Sequence, residues 1–129
     1  MAGPPIISVI IPTHKRRAQL RQALLSLAEQ DCGRDCWEVI VVEDGEEEPP
    51  NAELAALMER MPLRVFRQPY SGCGIARNTG AANALGRYLV FTDDDCLFPR
   101  DWLSRFRKAF EGASGCVVAG RSTNWLRDN

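Results

Sequence analysis

Short apolar segments alternate with segments of helical periodicity along this chain, and that alternation restricts its possible folds more than any other feature. The apolar runs are short and rich in β-branched residues, so they predict buried strands. The predicted strands cover residues 6–11, 37–43, 63–67 and 87–92, with a fifth apolar segment at 116–119. The predicted helices cover residues 16–30, 51–61, 74–85 and 99–110. This order predicts an α/β fold with a mostly parallel sheet and helices on both faces.

The size and the charge of the chain exclude several classes of protein. Its 129 residues are enough for one domain with a sizeable core. Sixteen basic and seventeen acidic residues leave a net charge of −1, whereas nucleic-acid binding normally leaves a strongly basic footprint. No apolar run approaches the ~20 residues that a membrane-spanning helix needs. We therefore expect no nucleic-acid partner and no membrane span in this chain.

The cysteines and the N-terminus bear on the compartment. No positively charged leader with an apolar core precedes the first predicted strand, so no secretory signal is expected. The five cysteines are therefore interpreted as reduced thiols of a cytoplasmic protein. Parts of the protein outside these residues could hold it at the inner face of a membrane. Cys32, Cys36 and the single histidine, His14, could form a zinc site, but small buried thiols are the simpler interpretation.

Polar residues cluster where the predicted strands end. Thr13 and His14 follow the first strand, Glu43 and Asp44 the second, and Asp93 to Asp95 the fourth. Parallel strands send their carboxyl ends to one edge of the sheet, where such folds bind ligands. Clustered carboxylates repel each other without a cation, and oxygen-rich sites suit Mg²⁺ or Mn²⁺, which also bind phosphate oxygens. The pattern therefore predicts a divalent metal beside a phosphorylated ligand.

The loop that opens the third predicted helix is a second candidate binding element. It contains Gly72 and Gly74, and glycines before a helix let a ligand approach the backbone N–H groups. Arg77, in the first turn, can contact a phosphate or hold a carboxylate, although a surface salt bridge explains it equally well.

Four blocks of the sequence resemble the family 2 glycosyltransferases in their order and spacing. The blocks are residues 8–13 (SVIIPT), 38–45 (EVIVVEDG), 74–82 (GIARNTGAA) and 86–95 (GRYLVFTDDD), and Pro99 and the Asp-Trp-Leu of 101–103 follow them. The resemblance implies a GT-A fold, of which this chain is the Rossmann-like, N-terminal donor-binding half. It also implies transfer of a sugar from a nucleotide-diphosphate donor, with a UDP-sugar expected, to an acceptor hydroxyl. The reaction is metal-dependent and mostly inverting in that family.

The resemblance assigns roles to individual residues. Asp93 to Asp95 look like the DxD motif, so Asp93 and Asp94 are matched to the donor, and Asp93 and Asp95 to Mn²⁺ or Mg²⁺. The other residues matched to the nucleotide-sugar site are Pro12, Thr13, His14, Glu43, Asp44, Gly74 and Arg77. Among these, residues 12–14 match the loop that lines the base, Asp44 the aspartate that contacts a uracil-type base, and Arg77 the arginine of the donor-side helix. Glu43 departs from the pattern, since the family more often has Asp there.

The acceptor half of the family, including its catalytic Asp or Glu base, follows the DxD segment. Residues 1–129 therefore look like the nucleotide-sugar-binding part of a domain truncated before that half, and the base is expected beyond Asn129. The acceptor, whether saccharide, lipid or protein, is not indicated by these residues. A truncated or inactive nucleotide-sugar-binding module without transfer activity is accordingly the alternative to an active enzyme.

Other α/β classes fit the strand ends less well. A receiver domain needs an acidic pair after its first strand, where this chain has Pro12 and Thr13. A dinucleotide-binding domain carries GxGxxG after the first strand, whereas Gly72 and Gly74 follow the third. A phosphatase of the HAD type has its DxD after the first strand, not the fourth.

Overall fold

Four parallel strands form the sheet in the computed structural model, which describes residues 3–49 and 52–112. The strands are β1 (Ile7–Thr13), β2 (Trp37–Asp44), β3 (Leu63–Gln68) and β4 (Tyr88–Phe91). The helices are α1 (Arg17–Ala28), α2 (Ala52–Arg60), α3 (Cys73–Ala82) and α4 (Trp102–Phe110). The sheet order is β3-β2-β1-β4, and every neighbouring pair is parallel. The predicted α/β fold is thus confirmed, while the apolar segment 116–119 lies outside the described residues.

The path of the chain explains why helices cover both faces of the sheet. The chain runs from β1 through β2 to β3, then crosses back to place β4 on the other side of β1. Since parallel crossovers keep one hand, this reversal sends the connecting helix to the opposite face. The larger core accordingly packs α1, α2 and α4 against one face, while α3 covers Ile40 and Val42 on the other through Ala76.

β1 continues past the point where the sequence predicts its end. Pro12 was expected to stop the strand after Ile11, and this expectation is wrong, because β1 runs to Thr13. Alternate residues of a parallel strand bond to the same neighbour, and Ile10 accepts a hydrogen bond on the β4 side from the Thr92 N–H (N···O 3.1 Å). Pro12 faces the same side, beyond the end of β4 at Phe91. Its missing N–H therefore removes no bond from the sheet.

A buried carboxylate organises the amino edge of the sheet. Oε2 of Glu38 accepts hydrogen bonds from the Ser8 hydroxyl (2.6 Å) and the Leu85 N–H (2.7 Å), and Oε1 accepts from two nitrogens of Arg64 (3.0 and 2.7 Å). Burial raises the pKa of Glu38, but these hydrogen bonds outweigh it and hold the pKa below its usual value. The network fixes the turn between α3 and β4, and it lies at the edge opposite the strand ends that carry the site residues.

Candidate functional site

The carboxyl ends of β1 and β4 meet where the strand order reverses, the position at which open α/β sheets bind ligands. Oγ1 of Thr13, the last residue of β1, donates a 2.8 Å hydrogen bond to Oδ2 of Asp94, which follows β4. Both residues are buried. This contact joins the loop after β1 to the acidic triplet, as the parallel topology predicts.

The three consecutive aspartates differ in exposure. Asp94 is 6% exposed, whereas Asp93 and Asp95 face solvent. One carboxylate oxygen of each exposed aspartate lies within 4.8 Å of the other and of the Cys96 Sγ. Within residues 3–49 and 52–112, Asp93, Asp95 and Cys96 form the group of three potential metal ligands whose ligand atoms all lie within 4.8 Å of one another. Two carboxylates at this spacing fit a divalent cation such as Mn²⁺ or Mg²⁺, and the thiol adds a softer ligand that Mg²⁺ does not favour.

Arginines balance the charge of the triplet. Nη1 of Arg16 lies 3.5 Å from an Asp94 oxygen and 3.8 Å from an Asp95 oxygen. Nη2 of Arg77, in the second turn of α3, lies 3.5 Å from Oδ1 of Asp93. Each carboxylate of the triplet thus has a guanidinium within ion-pair distance, and the edge holds both anionic and cationic groups that a diphosphate and its metal can use.

The carboxylate of Asp44 ties the loop after β3 to the end of β2. Its Oδ1 accepts hydrogen bonds from Nε2 of Gln68 (3.0 Å) and the Ser71 N–H (2.8 Å), and its Oδ2 accepts from the Gly72 N–H (2.9 Å). Burial raises the pKa of Asp44, but these bonds and the nearby His14 outweigh it, so the pKa lies below its usual value. Asp44 is therefore ionised at neutral pH and shapes the loop that carries Tyr70.

An open cleft of about 670 Å³ lies beside this loop; we call it the His14–Tyr70 cleft, and residues 14–15, 45–47 and 67–70 line it. The rings of His14 and Tyr70 pack with their centroids 4.5 Å apart. Nδ1 of His14 donates to the Asp44 carbonyl oxygen at 2.6 Å. Gly45, with φ +77°, lets the chain pass under Tyr70, where a Cβ would lie 2.7 Å from the Cβ of the tyrosine. The cleft therefore offers two aromatic rings to a planar ligand.

The carboxylate of Glu43 faces arginines rather than the cleft. Glu43 is 3% exposed, and its Oε2 lies 3.3 Å from Nε of Arg67 and 3.9 Å from Nη2 of Arg17. Arg17 also reaches the carboxylates of Glu46 (3.6 Å) and Glu48 (3.2 Å). Glu43 thus connects the end of β2 to Arg67 near the end of β3 and to Arg17, which itself pairs with the loop after β2.

Other predicted residues take different positions. Pro12 is buried within β1, and Gly74 is exposed in the first turn of α3. His14 lies at the carboxyl edge, whereas Cys36 accepts a hydrogen bond from Nη1 of Arg107 on α4 (3.3 Å). Cys36 and His14 therefore belong to separate contacts, and the described residues do not assemble the zinc alternative.

Two residues of the site were missed by sequence reasoning. Tyr70 follows Pro69 in the loop after β3, and an aromatic residue beside glycines at a strand end is a signal for ring stacking. Arg16 belongs to the basic run 15–17 after β1, opposite the acidic triplet that follows β4. Opposite charge at two neighbouring strand ends could have indicated the ion pairs.

These features define a Rossmann-like α/β domain whose carboxyl edge, the candidate ligand-binding site, combines an acidic pair with an aromatic cleft. The family profile described as glycosyl transferase family 2 matches residues 8–125. YfnE of Bacillus subtilis, an uncharacterized glycosyltransferase, is 36% identical over 115 residues, which are 88% of this chain and 29% of YfnE. The chain belongs to glycosyl transferase family 2, as its four sequence blocks indicate.

Solved structures agree with this assignment. The mannosyltransferase PcManGT of Pyrobaculum calidifontis, in complex with GDP-Man and Mn²⁺, matches with a TM-score of 0.74 and 29% identity over 84% of this chain and 33% of its own. Residues 1–349 of S. aureus TarS match with a TM-score of 0.76 and 27% identity over 83% of this chain and 32% of that one. The same part of TarS has been solved with UDP and with UDP-GlcNAc. None of the described helices combines the length and the apolar character that crossing a membrane requires.

Proposed function

We propose that this chain is the nucleotide-sugar-binding part of a glycosyltransferase that moves a sugar from a nucleoside-diphosphate donor to an acceptor hydroxyl. The observation that carries the proposal is that the Asp93 and Asp95 pair and the His14–Tyr70 cleft share one sheet edge. The contact between Thr13 and Asp94 links the acidic pair to the loop that carries His14. A nucleotide sugar needs both parts, a cation for its diphosphate and a flat cleft for its base.

The diphosphate side of the proposal assigns the metal to Asp93 and Asp95. Asp93 and Asp95 would hold Mn²⁺ or Mg²⁺, whose charge would offset that of the departing diphosphate, and the Mn²⁺ in the PcManGT complex supports a metal of this kind. Asp94 accepts the hydrogen bond from Thr13 and so positions the loop after β1 beside the donor. Arg77 supplies positive charge, and Gly74 leaves the first turn of α3 open to a phosphate.

The base side of the proposal uses the cleft. The exposed ring of Tyr70, which packs against His14, stacks on the base, and His14 lines the cleft beside it. A carboxylate has about four acceptor positions, and Asp44 uses three of them within the chain. The remaining one can accept the N–H of a uracil-type base, so a UDP-sugar is our first candidate donor. Glu43 pairs with Arg67, which lines the cleft, and Pro12 lies in β1 two residues before His14.

The transfer step completes the proposal. The acceptor oxygen attacks the anomeric carbon from the side opposite the diphosphate, whose bond to that carbon breaks, so the configuration inverts. A general base takes the acceptor proton. We assign the base and the acceptor surface to sequence beyond Asn129, which is in keeping with the 29% of YfnE that this chain spans.

The four described cysteines are free thiols, which supports a reducing compartment such as the cytoplasm.

Calorimetry on residues 1–129 tests the proposal. UDP and GDP are titrated with Mn²⁺, with Mg²⁺ and with EDTA, against wild type, Asp93→Asn and Asp95→Asn. The matched control is Glu59→Gln, which removes an exposed carboxylate from α2. We expect metal-dependent binding that both aspartate variants lose and the control keeps. Equal affinity in Mn²⁺ and in EDTA contradicts the metal assignment, and no binding of either nucleotide contradicts the function.

A further inference from the structure

Arg16 is held less firmly than its neighbour Arg17, although both lie at the same edge. The Arg16 side chain is 56% exposed, and its contacts with Asp94 and Asp95 are ion pairs of 3.5 and 3.8 Å. Arg17 is 22% exposed and donates hydrogen bonds to Glu48 and to the Pro49 carbonyl oxygen. Arg17 is thus tied into the loop after β2, whereas the Arg16 side chain has two ion pairs and can move without breaking a side-chain hydrogen bond among the described residues.

The position of Arg16 places its charge where a metal and a diphosphate are proposed to lie. It immediately precedes α1, and Lys15 before it has φ +53°, so the chain turns sharply there. One of its two carboxylate partners, Asp95, is also a proposed metal ligand. A guanidinium and a divalent cation at the same carboxylate repel each other, so metal binding weakens the hold of Asp95 on Arg16. The arriving diphosphate offers the guanidinium two oxygens in the bidentate geometry that it favours.

We propose that Arg16 is a diphosphate-binding residue that pairs with Asp94 and Asp95 before the donor binds and shifts to the donor diphosphate when a divalent metal binds. This inference rests on the proposed function. Arg16 neutralises Asp94 and Asp95 before the metal arrives and then stabilises the charge of the leaving group. Arg77 pairs with Asp93, at the other end of the triplet, at 3.5 Å.

The test compares Arg16→Gln with the control Arg105→Gln, which removes an exposed guanidinium paired with Asp101 on α4. Three titrations are made on residues 1–129: Mn²⁺ alone, the nucleoside diphosphate that wild type binds (UDP or GDP) with saturating Mn²⁺, and the corresponding nucleoside. Removing a competing exposed cation should tighten Mn²⁺ binding about two- to fivefold. Losing charge-assisted bonds to the diphosphate should weaken nucleotide binding about tenfold or more. Nucleoside affinity should stay unchanged.

Tighter binding of Mn²⁺ together with weaker binding of the nucleotide distinguishes a role in diphosphate binding from a structural role, because a structural defect would weaken both. A variant that loses affinity for Mn²⁺, nucleotide and nucleoside together has lost its structure, and that result overturns the inference. Nucleotide affinity equal to wild type overturns it as well. Arg16→Lys, which keeps the charge without the planar fork, should restore Mn²⁺ affinity to the wild-type value and nucleotide affinity only in part. A wild-type chain that binds neither UDP nor GDP instead refutes the proposed function itself.

Discussion

Replacing Asp44 with asparagine should loosen the loop that carries Tyr70. Asparagine keeps the size of the side chain and one acceptor oxygen, but its NH₂ group can only donate. The backbone N–H groups of Ser71 and Gly72 bond to different oxygens of Asp44. Whichever way the amide lies, one of these N–H groups then faces a donor. The variant therefore loses a bond that the wild-type carboxylate makes in either orientation.

The magnitude follows from the number of bonds affected. A buried donor left without an acceptor costs about 1–3 kcal/mol, and replacing a charged acceptor with a neutral one weakens each remaining bond by about 1 kcal/mol. Ser71 is exposed and Gly72 half-buried, so water compensates part of the loss. We expect the free energy of unfolding to fall by about 2–3 kcal/mol at pH 7. Uridine affinity should fall as well, since Tyr70 loses its support.

The difference in the free energy of unfolding between wild type and Asp44→Asn should depend on pH. The pKa of Asp44 is lowered in the folded chain, from about 3.9 in an unfolded one. The stability that the ionised carboxylate contributes is therefore fully present above about pH 4 and is lost as the pH falls through the folded-state pKa. Asparagine does not titrate, so the gap between the two proteins should be largest at neutral pH and narrow in acid.

Urea unfolding at pH 7 and at pH 3 measures both quantities on wild type, Asp44→Asn and Glu59→Gln. The control should differ from wild type by no more than about 0.5 kcal/mol, as exposed substitutions usually do. A gap for Asp44→Asn below about 0.5 kcal/mol at pH 7 would show that the three hydrogen bonds do not hold the loop. A gap of the same size at both pH values would show that the charge of Asp44 contributes nothing.

Three further outcomes follow from other contacts. Glu38→Gln should lower the free energy of unfolding by about 2–3 kcal/mol at pH 7 and less near pH 3, measured by urea unfolding, because the Leu85 N–H and Arg64 bond to different oxygens of Glu38 and an amide can accept from only one of them. Gly80→Ala should cost about 1–2 kcal/mol in thermal unfolding, since its Cβ would lie 2.5 Å from Cγ2 of Ile10. Tyr70→Ala should weaken nucleoside binding about tenfold in calorimetry while Tyr70→Phe keeps it. Wild-type values in any of these measurements would contradict the corresponding contact.

The sequence determined the fold class and the edge at which the site lies. Residues 39–42 are apolar at every position because β2 is buried on both faces, and a short continuous apolar run of this kind can be recognised within a single segment. Parallel strands then necessarily bring their carboxyl ends to one edge, so Thr13 and Asp94 could be expected to meet before their contact was seen. Three of the four family blocks, residues 8–13, 38–45 and 86–95, run along these strands to their carboxyl ends, and the fourth, residues 74–82, lies in α3.

The roles within that edge were decided only by the tertiary structure. Asp93, Asp94 and Asp95 are chemically identical neighbours, and the bond from Thr13 is what turns Asp94 inward and leaves the other two exposed. Asp44 likewise takes its three partners from the last residue of β3 and the loop that follows it. Which side chains meet depends on how segments distant in sequence pack together. The hydrophobic pattern of a strand or helix, in contrast, is visible within that one segment. The sequence therefore indicated the edge that carries the candidate site, and the packing of distant segments decided which groups meet there.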